Sequence, residues 1–100
     1  MEIRDAQAII KETYEKRDRS RGLHLTFMHL IEEVGELSRA IRRDNRSEIS
    51  GEMADVFAWL LSIAYLLEVN LESEFEKRYG KGCPKCGGKP CTCPPLERRS

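Results

Sequence analysis

The chain has 100 residues, enough for one modest domain and too few for a large self-sufficient core. Apolar residues make up 40%, while 17 basic and 17 acidic residues cancel. No net field favours a nucleic-acid polymer or a membrane surface, so functional charge has to be local. Met1 is followed closely by Glu2, Arg4 and Asp5 where a secretory h-region would begin. The longest apolar run, Val56 to Leu67, is shorter than the roughly 20 residues that span a bilayer. A cytoplasmic protein is expected.

In chain order, Ile3, Ala6, Ile10 and Tyr14 recur at helical spacing and predict a first helix over about 2–16. Arg17 to Gly22 reads as a charged break. A second helix is predicted over about 23–43, with Leu23, Phe27, Leu30, Val34, Leu37 and Ile41 as one apolar stripe. Residues 44–47 form a turn in which Asn45 or Ser47 can cap the next helix. The third helix, about 48–69, is apolar on nearly every side after Asp55. A helix apolar all round is buried all round, and this chain cannot cover it alone. Homo-oligomerisation, as a dimer or larger, is therefore expected. Asn70 caps a short fourth helix ending near Tyr79–Gly80. The fold class is all-α: an antiparallel bundle of about four helices over 1–80, then a cysteine-rich tail over 81–100.

The second helix carries Glu32-Glu33-Val34-Gly35-Glu36 and the third opens on Glu52-Met53-Ala54-Asp55. Each holds an acid pair at i, i+3, on one face and about 4.5 Å apart along the axis. With the connecting turn centred near residues 45 and 46, Glu36 and Asp55 sit at equal height, Glu33 a turn above and Glu52 a turn below. Two carboxylates at about 5 Å repel by roughly 3 kcal/mol at an effective dielectric near 20. Four such groups require a cation or raised pKa values. Oxygen ligands without histidine or thiolate suit Mg²⁺ or Mn²⁺. The plain alternative is a solvated acidic helix face.

This pattern, Glu32-Glu33-x-x-Glu36 followed by Glu52-x-x-Asp55 on an apolar helix, resembles the MazG-like all-α nucleoside triphosphate pyrophosphohydrolases. The likeness runs from the first helix to the fourth, about four-fifths of the chain. The resemblance implies an oligomeric helical bundle that hydrolyses a nucleoside triphosphate to monophosphate and pyrophosphate with Mg²⁺. It further implies that Glu33, Glu36, Glu52 and Asp55 are metal ligands. Glu32 is then the residue that orients or deprotonates water attacking the α-phosphorus in line. Trp59, a turn beyond Asp55, stacks on the base or is a core tryptophan. His29, a turn before Glu33, contacts a phosphate or sugar or is structural. Lys77 and Lys81 stand where relatives place phosphate-reaching basic residues; solvated lysines are the alternative.

The tail holds Cys83-Pro-Lys-Cys86-Gly-Gly and Cys91-Thr-Cys93, four thiols in eleven residues. Cys-x-x-Cys followed by glycine is a zinc-gripping turn, and Cys-x-Cys can complete a tetrahedral site. A reducing compartment disfavours disulfides, and no iron–sulfur spacing is present. Structural Zn²⁺ is the expectation, because a closed site with four thiolates has no position left for catalysis. The rival from another class is a zinc-knuckle interaction module on a helical oligomer, without catalysis. A di-iron bundle would want Glu-x-x-His pairs that this chain lacks. A phosphoribosyl-nucleotide pyrophosphohydrolase is a third possibility, separable by substrate.

Overall fold

The computed structural model describes residues 1–95; the last five residues of the expected tail, 96–100, lie outside the described residues. Four helices follow in order: α1 (Ile3–Arg21), α2 (Leu23–Arg42), α3 (Arg46–Leu66) and α4 (Leu71–Tyr79). Among the described residues there is no strand.

The expected break at 17–22 is not a break. Helix α1 runs through it to Arg21, and only Gly22, at φ +89°, turns the chain straight into α2. Charge clustering alone does not stop a helix when one charged residue continues the inward phase, and Asp18 does so, four residues after Tyr14. Asn45 is the cap of α3, its side chain accepting from Glu48 N at 3.1 Å, and Asn70 caps α4 through Ser73 N. Asp44 supplies the left-handed residue between α2 and α3, at φ +54°.

Helix α3 is the centre of the fold, packed most extensively on α2 and next on α1. Its second half buries Leu61, Ala64 and Tyr65 together with Ser62. Helix α4 packs chiefly on α1. Gln7 joins them, donating to Val69 O at 2.7 Å and accepting from Leu71 N at 3.2 Å, so one amide satisfies both backbone groups of the α3–α4 turn.

The inward side of α2 is rotated from the stripe its periodicity implied. Leu23, Leu30 and Leu37 face inward as expected, and Thr26, Glu33 and Ala40 complete the inward side. Phe27, Val34 and Ile41 are half exposed. On α3, Met53, Phe57 and Leu60 are likewise uncovered, so both helices expose large apolar side chains. By length and hydropathy α3 would pass for a bilayer span, but core helices pass the same test.

Candidate active site

The inward phase of α2 is Leu23, Thr26, Leu30, Glu33, Leu37 and Ala40, spaced alternately by three and four residues. Glu33 therefore points at α3 because its position is a core position. It meets Glu52 and Asp55 there. One carboxylate oxygen of each of the three lies within 4.8 Å of the other two.

Glu36 is not in that cluster, although its charge acts on Glu33. The connection between α2 and α3 centres on Asp44, not on residues 45 and 46. Glu33 and Asp55 are then each eleven residues from the turn and level with each other, and Glu36 and Glu52 are each eight residues from it. Glu36 is exposed and paired with Arg39 three residues on. Glu32, a residue before Glu33 and about 100° round the helix, is exposed and outside the cluster.

The cluster is electrostatically loaded. Burial, then the hydrogen bond and charge of Glu52, then the charges of Asp55 and Glu36, raise Glu33 from 4.5 to about 6. Glu52 Oε2 is buried and has no hydrogen-bond partner. A buried, unpartnered carboxylate oxygen facing two further carboxylates lacks positive charge. An oxygen-preferring divalent cation fits that donor set.

Asp55 also lines a cleft of about 280 Å³ between α1 and α3, with Tyr14, Arg17, Asp18, Arg21, Ala58, Trp59 and Ser62. Trp59 stacks on His29, centroids 4.9 Å apart and planes at 14°. Arg21 sets its guanidinium carbon 4.9 Å from the same ring's centroid. Sequence reasoning missed the residue that holds Arg21. Asp18 is 1% exposed and accepts from Arg21 Nη1 at 2.6 Å and from the Tyr65 hydroxyl. Burial alone would raise Asp18, but bonds from Tyr65, Ser62 and Arg21 outweigh it and hold the carboxyl below its ordinary value. Burial and the neighbouring Asp18 push the Tyr65 phenol well up. The signal for Asp18 was available: a carboxylate in phase with the apolar face of α1.

His29 is therefore brought to Trp59, and Trp59 to the cleft. Lys77 and Lys81 are not: neither lines the cleft, and Lys77 is exposed and paired with Glu74 at 3.4 Å. The four tail cysteines converge as a separate group, their sulfurs all within 4.8 Å of one another.

The fold and site together define an all-α protein whose helical hairpin sets three facing carboxylates beside an aromatic and guanidinium cleft. A family model described as the MazG nucleotide pyrophosphohydrolase domain matches residues 21–88, and the chain belongs to that family. The match takes in α2, α3, α4 and the first two tail cysteines; nearly all of α1 precedes it, where the resemblance had been expected to begin. No curated protein matches the chain.

Proposed function

We propose that this protein hydrolyses a nucleoside triphosphate, NTP or dNTP, to the nucleoside monophosphate and pyrophosphate, as a cytoplasmic guard of the nucleotide pool. The observation that carries the reading is the sharing of Asp55 by the carboxylate cluster and the cleft. One residue thus joins a place for phosphate-bound cations to a place for a base.

Glu33, Glu52 and Asp55 would hold Mg²⁺ (or Mn²⁺), and Glu36 would join them by turning away from Arg39. Bound there, the ion supplies positive charge to the triphosphate and to the charge that grows during displacement. Water attacks the α-phosphorus, the bond to the β-phosphate oxygen breaks, and pyrophosphate leaves with the electron pair. Glu32 is assigned to orient that water and accept its proton. Trp59 would stack on the base by exchanging one of its present ring partners, His29 or the Asp18-held Arg21, for the ligand. Lys77 and Lys81 receive no role.

The half-exposed apolar side chains of α2 and α3 support a homo-oligomer as the working form. Residues 1–80 are the hydrolase domain in this reading, with the segment from 81 onward added to it.

Phosphorus NMR of the protein with each ordinary NTP and dNTP, with and without Mg²⁺, tests the reaction. Monophosphate and pyrophosphate are expected only with the ion, and neither with Glu33→Gln. Trp59→Ala should raise KM by about tenfold with a smaller change in kcat, as the loss of one base stack implies. Diphosphate with inorganic phosphate would overturn the reading, as would no turnover of any nucleotide.

A further inference from the structure

The four thiols of the tail take no part in the reaction proposed above, and their arrangement is too specific for a solvated coil. None of the described residues 80–95 is buried, so apolar burial does not order this segment. Yet it has a defined backbone. Gly82 N donates to Tyr79 O at 2.9 Å, Cys83 N to Gly88 O at 3.0 Å, and Gly87 N to Cys83 O at 2.7 Å. Gly82 sits at φ +110°, and a Cβ there would lie 2.6 Å from Gly88 O, so the loop closes only on glycine.

The loop turns its amides toward sulfur. The N–H groups of Lys85 and Cys86 point to the Cys83 sulfur, and those of Gly88 and Thr92 to Cys86 Sγ, Thr92 at 3.2 Å. Cys93 N donates to Cys91 Sγ at 3.3 Å. Amide donors aimed at sulfur stabilise thiolate, the form that binds metal.

The sulfur separations suit a tetrahedral four-thiolate site. Cys83 Sγ and Cys93 Sγ are 3.7 Å apart, and Cys86 Sγ and Cys91 Sγ are 3.8 Å apart. A regular ZnS₄ centre with bonds of about 2.3 Å has edges of about 3.8 Å. These two pairs share no sulfur and each has that edge length, and every remaining pair lies within 4.8 Å. Two disulfides would bring sulfurs together in pairs, with no reason for all four to converge. An iron–sulfur cluster would spread the thiolates over several irons. Four thiolates around one dication leave two negative charges, and Lys81, Lys85 and Lys89 lie within this short stretch to offset them.

We propose that Cys83, Cys86, Cys91 and Cys93 hold one zinc ion per chain in a closed four-thiolate site, and that this ion folds the segment after α4. All four ligands come from one chain, so the stoichiometry is independent of oligomeric state. With every position filled by sulfur, the ion has no open site for substrate.

The test uses the full chain. Elemental analysis should find one zinc per chain, falling to a small fraction in Cys86→Ser and in Cys91→Ser while far-UV circular dichroism keeps the helical signal. Glu33→Gln should retain its zinc, which separates this site from the carboxylates and keeps the result independent of hydrolase activity. Cobalt exchanged for the zinc should show tetrahedral d–d bands and thiolate-to-cobalt charge transfer. Trypsin should spare the Lys85–Cys86 bond until a thiol-directed mercurial releases the metal, and cut it afterwards. Zinc retained in both serine variants, iron in its place, or a metal-free chain with the same protease resistance would each overturn the proposal.

Discussion

Replacing Glu33 by Gln should make the magnesium-free protein more stable while abolishing hydrolysis. Glu33 titrates at about 6 in the fold against 4.5 in the open chain. A shift of about 1.5 units corresponds to about 2 kcal/mol at 1.36 kcal/mol per unit; partial exposure and solvent screening reduce this to about 1 kcal/mol. The folded state binds the proton more tightly than the unfolded state, so the raised value favours the fold at low pH. That advantage is complete below about pH 4.5 and is lost as pH rises through about 6. Above this window the ionised Glu33 opposes folding against Glu52 and Asp55. The neutral isostere removes the penalty, worth about 5 °C in melting temperature for a domain of this size. Thermal unfolding followed by circular dichroism, at fixed protein concentration and without magnesium, measures it at pH 8 and pH 4.5. The variant should melt higher at pH 8 and within a degree or so of the parent at pH 4.5. Adding Mg²⁺ at pH 8 should raise the parent more than the variant. Equal shifts at both pH values, or a variant less stable at pH 8, would refute the idea that carboxylate repulsion is stored at this site.

Asp18→Asn should cost about 3 kcal/mol at pH 7, because Arg21 and Tyr65 would face a neutral group that can also donate. Asp18 is held below its ordinary value, so its contribution is present above about pH 4 and lost as pH falls further; urea unfolding at pH 7 and pH 3 should show the gap closing. Phe57→Glu, at an exposed apolar position of α3, should dissociate the oligomer. Sedimentation should find the parent at two or more times the 11.5 kDa chain and the variant closer to one; a monomeric parent would remove the homo-oligomer from the reading.

The helices were legible where short-range rules govern them. Asn45 and Asn70 cap as their side-chain chemistry dictates, and α2, α3 and α4 begin within about two residues of where periodicity placed them. The carboxylate constellation was legible as a set, because i, i+3 spacing fixes which acids share a face. Which acids actually meet was not. Moving the centre of the turn by one and a half positions exchanges Glu36 for Glu33 as the partner level with Asp55, and no residue-level preference announces that centre. Asp18 shows another limit: its local setting, Arg17-Asp18-Arg19-Ser20-Arg21, reads as a solvated break. Its burial depends on Tyr65, 47 residues away, supplying a hydroxyl.

The sequence by itself determined an all-helical chain, the two acid-bearing helices and a four-thiol tail, since helical period, capping and ligand spacing act over a few residues. The tertiary structure alone decided that Glu33 meets Glu52 and Asp55 while Glu36 pairs with Arg39. It also decided that Asp18 holds Arg21 over Trp59, and that four thiols in eleven residues converge within 4.8 Å of one another. Each of these is a meeting of groups carried by separate turns of chain, fixed by helix register and packing that local preferences leave free.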